Sequence, residues 1–309
     1  MDLVELRYFV KVAHTGNLSR AGKDLGVSQP ALSRAILRLE EELGQPLLER
    51  QTRGVMLTDA GQKLLRRAEQ ILALVDDTRA ELVDDGQTGR LRLGAIPTIA
   101  PYLLPEVIRR FRQQAPLAQV LVREETTDKL LHRLKQGEID LALMAAPISA
   151  QYLDVQPLFE EELKLVLPAQ HPLSTREPIT LSMLEQETFV LLEETHCLTG
   201  AIVAFCHQRA FQPLMVEHTS QLMTVQELVG LGHGISFIPY MAYERDHDPQ
   251  RVYRSVAAPQ PKRQVVMVWN PYRFQSRLLV RFRECLLDCT AARRGSQGQS
   301  QATEGSTTT

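Results

Sequence analysis

Residues 9–61 read "FVKVAHTGNLSRAGKDLGVSQPALSRAILRLEEELGQPLLERQTRGVMLTDAG", and the punctuation of this stretch decides how the chain begins. Apolar Leu3, Leu6, Phe9, Val10, Val12 and Ala13 recur close to a helical period, and "TGN" at 15–17 breaks it. Ser19 is placed to cap a second helix that runs to Leu25. Gly26 then stops that helix, with Val27 packing just behind. Ser28 caps a third helix and Pro30 stands in its first turn, where a missing N–H costs nothing. Leu32, Ile36, Leu39 and Leu43 form one apolar stripe on it. At about 100° per residue, Pro30, Arg34 and Leu37 face away from the stripe and Ser33 lies at its border. A helix, a glycine turn and a capped helix with an outward arginine make the helix-turn-helix pattern. The following "RQTRGVMLTDAG" adds a loop and short strand bearing Arg50 and Arg53, which reads as a wing.

Thr58 caps a long helix over roughly 59–84, with Leu64, Leu65, Ala68, Ile71, Leu72 and Val75 on one side. Its acidic excess argues against a DNA arm and for a linker or dimerisation stalk. Residues 1–58 hold eight Lys/Arg and seven Asp/Glu, a balance of +1, so motif and placement rather than bulk charge must carry any DNA contact. Within that motif Arg34 can reach guanine edges, with Gln29, Pro30 and Ser33 against neighbouring bases. Ser19 and Ser28 suit phosphate contacts through hydroxyls and helix N-termini, and Arg53 suits the minor groove.

The rest of the chain has the composition of a soluble multidomain protein. There are 309 residues, 44% hydrophobic and 23% charged, with a net charge of −2, and no apolar run approaches a membrane span. The amphipathic N-terminus lacks a signal-peptide layout, and four cysteines are too few for a secreted disulfide framework. The expectation is a cytoplasmic protein. After the polar turn "DDGQTG" at 84–89 the pattern changes to strands at 90–96, 118–125, 139–145, 163–168, 188–192, 235–239 and 263–271, with helices over 102–116, 128–138 and 223–234 between them. Pro105 is expected in the first turn of the 102–116 helix, and the alternation implies parallel α/β layers. "RRGSQGQSQATEGSTTT" at 293–309 is polar low complexity and reads as a disordered tail. No cofactor motif, metal-ligand spacing or nucleophile elbow appears, so the chain reads as no enzyme.

"VSQPALS" (27–33), "LEEELG" (39–44), "LLER" (47–50) and "LTDAG" (57–61) together make the N-terminal segment closely similar to that of LysR-type transcriptional regulators. The resemblance extends along the chain up to the tail. It implies a winged helix-turn-helix DNA-binding domain (1–58), a linker helix (59–89) and a two-lobed α/β, periplasmic-binding-protein-like effector domain (90–292). It also implies dimers paired through the linker helices, commonly assembled as tetramers, that bind double-stranded DNA and act with RNA polymerase.

A narrower resemblance is to the peroxide-sensing members of that family. It rests on "GAIPTIAPYLLPEVI" (94–108), "EETTDKLLHRLKQGEIDLAL" (124–143), "LLEETHCLTGAIVAFC" (191–206), "TSQLMTVQELVGLGHGISFIP" (219–239) and "KRQVVMVWNP" (262–271). It implies that Cys197 is the peroxidatic thiol and Cys206 the resolving thiol. Thr98, Thr127 and His196 would line the peroxide pocket, with Arg263 supporting it. Two positions depart from that branch. Leu198 is followed by Thr199 and Gly200 instead of Arg-Asp, and Asp128 stands where a histidine is common.

Spacing by itself leaves Cys197 and Cys206 open between two buried small hydrophobes and a thiol switch. If 197–206 is helical, the two Cα atoms lie roughly 13 Å apart, against about 4.4–6.8 Å in a disulfide, so closure requires unwinding. Gly200, a poor helix former, lowers the cost of that step. Cys285 and Cys289, at i and i+4, read as a packed helix face. The alternative effector is a small molecule bound between the lobes near Thr98, Thr127 and residues 195–200.

Overall fold

The computed structural model describes residues 1–51, 54–82, 84–193, 196–208 and 213–299, which form two compact units divided between Val83 and Asp84. In the first unit α1 (Leu3–Thr15) starts at a capping box, with the Asp2 carboxylate on the Val4 and Glu5 amides and Glu5 reaching back to the Asp2 N–H. Next comes α2 (Leu18–Leu25). Its cap is Asn17, whose side chain accepts from the Arg20 N–H at 3.0 Å, and not Ser19, which lies exposed inside the first turn. Asn is as good a cap as Ser, and its earlier position in "TGN" starts the helix sooner.

Gly26 ends α2 at φ 70°. The turn also demands Gly22, because a Cβ there would stand 2.9 Å from the Val27 carbonyl oxygen. That approach brings α3 (Gln29–Leu43), capped by Ser28, across α2. The hairpin β1 (Leu48–Gln51) and β2 (Gly54–Leu57) follows as the wing. Then α4 (Asp59–Leu82) starts at Thr58, whose hydroxyl accepts from the Gly61 N–H. The core is Leu6, Phe9, Val12, Ala21, Leu32, Ile36, Leu39, Leu47, Ala68 and Leu72. Leu72 therefore packs inside this unit, while Ile71, Leu74 and Leu82 on a neighbouring face of α4 are 39%, 62% and 81% exposed.

The second unit runs β3 (Gly89–Ala95), α5 (Ala100–Gln114), β4 (Ala118–Glu124), α6 (Thr127–Gln136), β5 (Leu141–Ala145) and β6 (Asp154–Pro168). It continues through β7 (Thr188–Leu192), α7 (Cys197–His207), β8 (Leu214–Thr219), α8 (Leu222–Gly230), β9 (Ser236–Pro239) and α9 (Tyr240–Tyr243), and ends with β10 (Arg251–Arg254), β11 (Lys262–Trp269) and α10 (Arg277–Gln299). Strand order in the main sheet is β10-β6-β11-β5-β3-β4, with β9 also paired to β6. The parallel pairing expected from the alternation holds for β3 with β4 and β5, and for β7 with β8. The long strands β6 and β11 are antiparallel to each other and to their neighbours.

That antiparallel pair divides the unit into two lobes. The first part of β6 pairs with β11 beside one core, which holds Leu93, Val107, Phe111, Leu143, Val266 and Phe282. Its last part pairs with β9 and β10 over a second core, which holds Leu165, Phe189, Val190, Val229 and Phe237. The start of β6, "DVQPLFEEE", escapes a sequence reading because Pro157 and three consecutive glutamates obscure its alternation.

Two further expectations are corrected. Pro101, not Pro105, stands in the first turn of α5, and Pro105 falls inside the helix. The Pro101 carbonyl, which Pro105 cannot serve, accepts instead from Arg245 Nη1 at 2.8 Å, and Nη2 of the same guanidinium serves the Tyr102 carbonyl. The segment expected as a disordered tail from 293 starts as helix, since α10 continues through Gln299. Residues 300–309 lie outside the described residues.

Candidate functional site

Three helix N-termini meet at one small pocket in the second unit. Its walls are Ile96, Pro97 and Thr98 before α5, Thr126 and Thr127 at the start of α6, and His196, Cys197 and Leu198 at the start of α7. Helix N-termini present N–H groups without intrahelical partners and carry partial positive charge. Among the described residues no side chain caps α6 or α7. The lining of the pocket is therefore rich in hydrogen-bond donors and locally positive. It brings together Thr98, Thr127, His196 and Cys197 from chain positions almost a hundred residues apart.

Thr98 is 1% exposed and is gripped by Arg263, whose Nη1 donates to the Thr98 hydroxyl at 2.7 Å and Nη2 to its carbonyl at 2.9 Å. Arg263 itself lies behind the wall, 3% exposed, and its Nε donates to Glu161 at 2.8 Å. The Thr127 hydroxyl oxygen is buried and has no hydrogen-bond partner among the described residues. Buried polar atoms are normally satisfied, which sets this one apart from its neighbours. Thr199, in the first turn of α7, is 3% exposed and donates to the Leu192 carbonyl at 2.8 Å, tying the helix start to the end of β7. Sequence reasoning missed Glu161 and the Thr199 tie, since neither lies in a chemical motif. Asp128, next to Thr127, is exposed.

Cys197 and Cys206 are both in the thiol form and not joined by a disulfide. Cys197 is half-buried against the first lobe's core, and Cys206 is fully buried in the second lobe's core. Cys285 and Cys289 are buried in the first lobe, and burial, with Cys289 beside it, pushes the Cys285 thiol up to about 12. Among the described residues no cluster could hold a metal ion, and no helix is long and apolar enough to cross a membrane.

In the first unit Ser19, Ser28, Gln29, Pro30 and Arg34 are exposed and Ser33 is half-buried. All four residues Gln29, Pro30, Ser33 and Arg34 lie on the first half of α3; Pro30 and Arg34 face away from its buried Leu32, Ala35, Ile36 and Leu39, and Gln29 and Ser33 border that face. Arg38 turns back toward Glu5 on α1, at 3.4 Å. Arg53, expected on the wing, lies outside the described residues.

Residues 3–62 match the model of the bacterial regulatory helix-turn-helix protein, lysR family, and residues 84–290 match that of the LysR substrate binding domain. The chain belongs to the LysR family. This LysR-type regulator is 34% identical over 274 residues to a hydrogen peroxide-inducible genes activator of Pectobacterium carotovorum, covering 88% of this chain and 91% of that one. A cysteine-to-aspartate variant of full-length OxyR from Pseudomonas aeruginosa superposes with a TM-score of 0.76 at 31% identity, covering 94% of each chain. A cysteine-to-serine variant of Corynebacterium glutamicum OxyR with hydrogen peroxide bound gives 0.63 at 31% identity, covering 96% of each. The regulator is thus an OxyR-like DNA-binding transcription factor with a winged helix-turn-helix and a two-lobed effector domain.

Proposed function

We propose that this regulator senses hydrogen peroxide at Cys197 and stores the signal as a Cys197–Cys206 disulfide. The observation that carries the reading is the place of Cys197 at the first residue of α7, in a pocket that also holds the unpartnered Thr127 hydroxyl. Peroxide can bond to that hydroxyl and to Thr98 while the Cys197 sulfur approaches one of its oxygens. The thiolate attacks, the O–O bond breaks, and hydroxide departs with the electron pair to become water. The sulfur loses two electrons to the peroxide and becomes a sulfenic acid. The Cys206 thiolate then attacks this sulfur, the S–O bond breaks, water leaves and the disulfide forms.

The second step cannot occur on an intact α7. Cys206 must leave the second lobe's core, taking neighbours such as Ile202 and Phe205 with it. Repacking of that core is the conformational signal. Mass spectrometry of the protein after mild peroxide, alongside DNA footprints in both redox states, tests the reading. A Cys197–Cys206 disulfide with a shifted footprint is the expected result. Reduced cysteines with an indifferent footprint would transfer the pocket to the second reading, a small-molecule effector, which the Thr199-Gly200 departure favours.

At the DNA, Arg34 reads guanine edges from α3, with Gln29, Pro30, Ser33 and the exposed Leu37 against adjacent bases and thymine methyls. Ser28 and Ser19 contact phosphates at helix starts, and Arg53 enters the minor groove. The chain pairs through the exposed Ile71, Leu74 and Leu82 face of α4 and assembles as a dimer or tetramer. It works in the cytoplasm as an activator with RNA polymerase and carries out no catalytic turnover.

A further inference from the structure

We propose that Glu161 is a positioning residue for the peroxide pocket: it holds Arg263 so that the Thr98 hydroxyl is compelled to donate its hydrogen into the pocket. The proposal rests on Cys197 being the peroxide-reactive thiol, and it adds a residue that touches neither peroxide nor sulfur.

Glu161 on β6 and Arg263 on β11 are direct partners across the antiparallel ladder, and their side chains are 2% and 1% exposed. Both carboxylate oxygens are committed. Oε1 accepts from Arg263 Nε at 2.8 Å, and Oε2 accepts from the Met241 N–H at 2.9 Å, at the start of α9. Arg263 spends its two remaining nitrogens on Thr98, one on the hydroxyl and one on the carbonyl.

A guanidinium has no acceptor. The Thr98 oxygen must therefore accept from Arg263, and its own hydrogen is left for another partner. Thr98 is a wall of the pocket, so that hydrogen is available to the guest or to the Cys197 sulfur. In this arrangement the donor is fixed before peroxide arrives, which is the condition under which a hydrogen bond lowers a barrier most. Glu161 makes the arrangement stable, because a buried guanidinium without a counter-charge draws in water or swings away.

An amide cannot replace this carboxylate. In Glu161→Gln one position becomes NH2, and it faces a donor whichever way it is turned, either Arg263 Nε or the Met241 N–H. The clamp loosens and Thr98 loses its enforced direction. A role confined to fold stability would lower the melting temperature without a selective effect on peroxide.

The test compares the rate of Cys197 with hydrogen peroxide and with iodoacetamide, which needs the thiolate but not the pocket donors. It uses full-length wild type, Glu161→Gln, Thr98→Val and the double variant. Expected is a peroxide rate lowered roughly tenfold or more in Glu161→Gln, since one preorganised donor is worth on the order of a hundredfold. Iodoacetamide should be nearly unchanged, and the double variant no slower than Thr98→Val alone, because both changes remove the same donor. A Glu161→Gln protein as fast as a reactive wild type would overturn the proposal alone. Equal slowing with both reagents, or additive slowing in the double variant, would overturn it in favour of a structural role. A wild-type Cys197 inert to peroxide would overturn both this proposal and the sensing reading. If Glu161→Gln does not fold, the apolar pair Glu161→Met with Arg263→Met removes the clamp without a buried charge, and a wild-type peroxide rate there would equally overturn it.

Discussion

Cys197 and Cys206 stand at opposite ends of α7 and, at about 100° per residue, on opposite faces of it. One touches the core of the first lobe and the other lies sealed in the core of the second. A bond between them is incompatible with this helix, so the proposed disulfide requires the segment to unwind. Cys197→Ser is expected to abolish the peroxide response. Cys206→Ser should form sulfenic acid on Cys197, detectable with a dimedone probe, without reaching the switched footprint.

Gly200 is exposed in the middle of that segment, and a Cβ there would meet nothing within 4 Å. Gly200→Ala should therefore stabilise α7 by about 1 kcal/mol. Rapid-quench mass spectrometry should show sulfenic acid forming at the wild-type rate and the disulfide closing several-fold more slowly. Gly200→Asp, which restores an acid usual in the peroxide-sensing branch, should instead speed the first step. A slower first step in Gly200→Asp would count against a role for that acid here.

Leu72 and Leu74 separate fold from assembly on one helix. Leu72 is 9% exposed within the first unit's core, and Leu74 is 62% exposed. Leu72→Asp should destabilise this unit by more than the ~2–5 kcal/mol of a core Leu→Ala truncation, read by thermal melting. Leu74→Asp should leave the melt of a monomeric N-terminal unit unchanged and split the dimer in analytical ultracentrifugation. A dimer that survives would place pairing on another surface.

Arg34→Ala should weaken specific DNA binding by about 1–3 kcal/mol, as for loss of one bidentate base contact. Arg38→Ala should cost much less, because Arg38 turns back to Glu5. Fluorescence anisotropy at fixed salt on specific and scrambled duplexes separates a base contact from a phosphate contact. Equal loss on both duplexes would move Arg34 to the phosphates.

Cys285 carries a thiol held at about 12 by burial, with Cys289 beside it. At neutral pH it stays protonated, so peroxide and iodoacetamide should leave it unmodified in the folded protein and modify it after denaturation. Peptide mapping before and after guanidinium reads this directly. Labelling of Cys285 in the native protein would mean that α10 opens locally.

The local signals were enough for the first unit. Ser28, Pro30, Gly26 and the Leu32–Ile36–Leu39 stripe act within a few residues of one another, so capping, turn geometry and helical period define α3 and its outward Arg34 without reference to the rest of the chain. The start of α2 differs from the local expectation, because Asn17 and Ser19 are both good caps and the earlier one starts the helix. The second unit behaved differently. Its parallel strands were legible, but the antiparallel course of β6 and β11 was not, since pairing partners far apart in sequence leave no local trace. The same holds for the pocket. Composition and spacing marked Cys197 and Cys206 as a pair with two meanings, and resemblance chose between them. Only the tertiary structure put Cys197 at a helix start beside an unpartnered Thr127 hydroxyl and placed Cys206 in the other lobe's core. It alone ran a chain of hydrogen bonds from Met241 through Glu161 and Arg263 to Thr98. Helices and caps are made by neighbours along the chain, whereas a buried charge finds its partner only where two distant strands are pressed together.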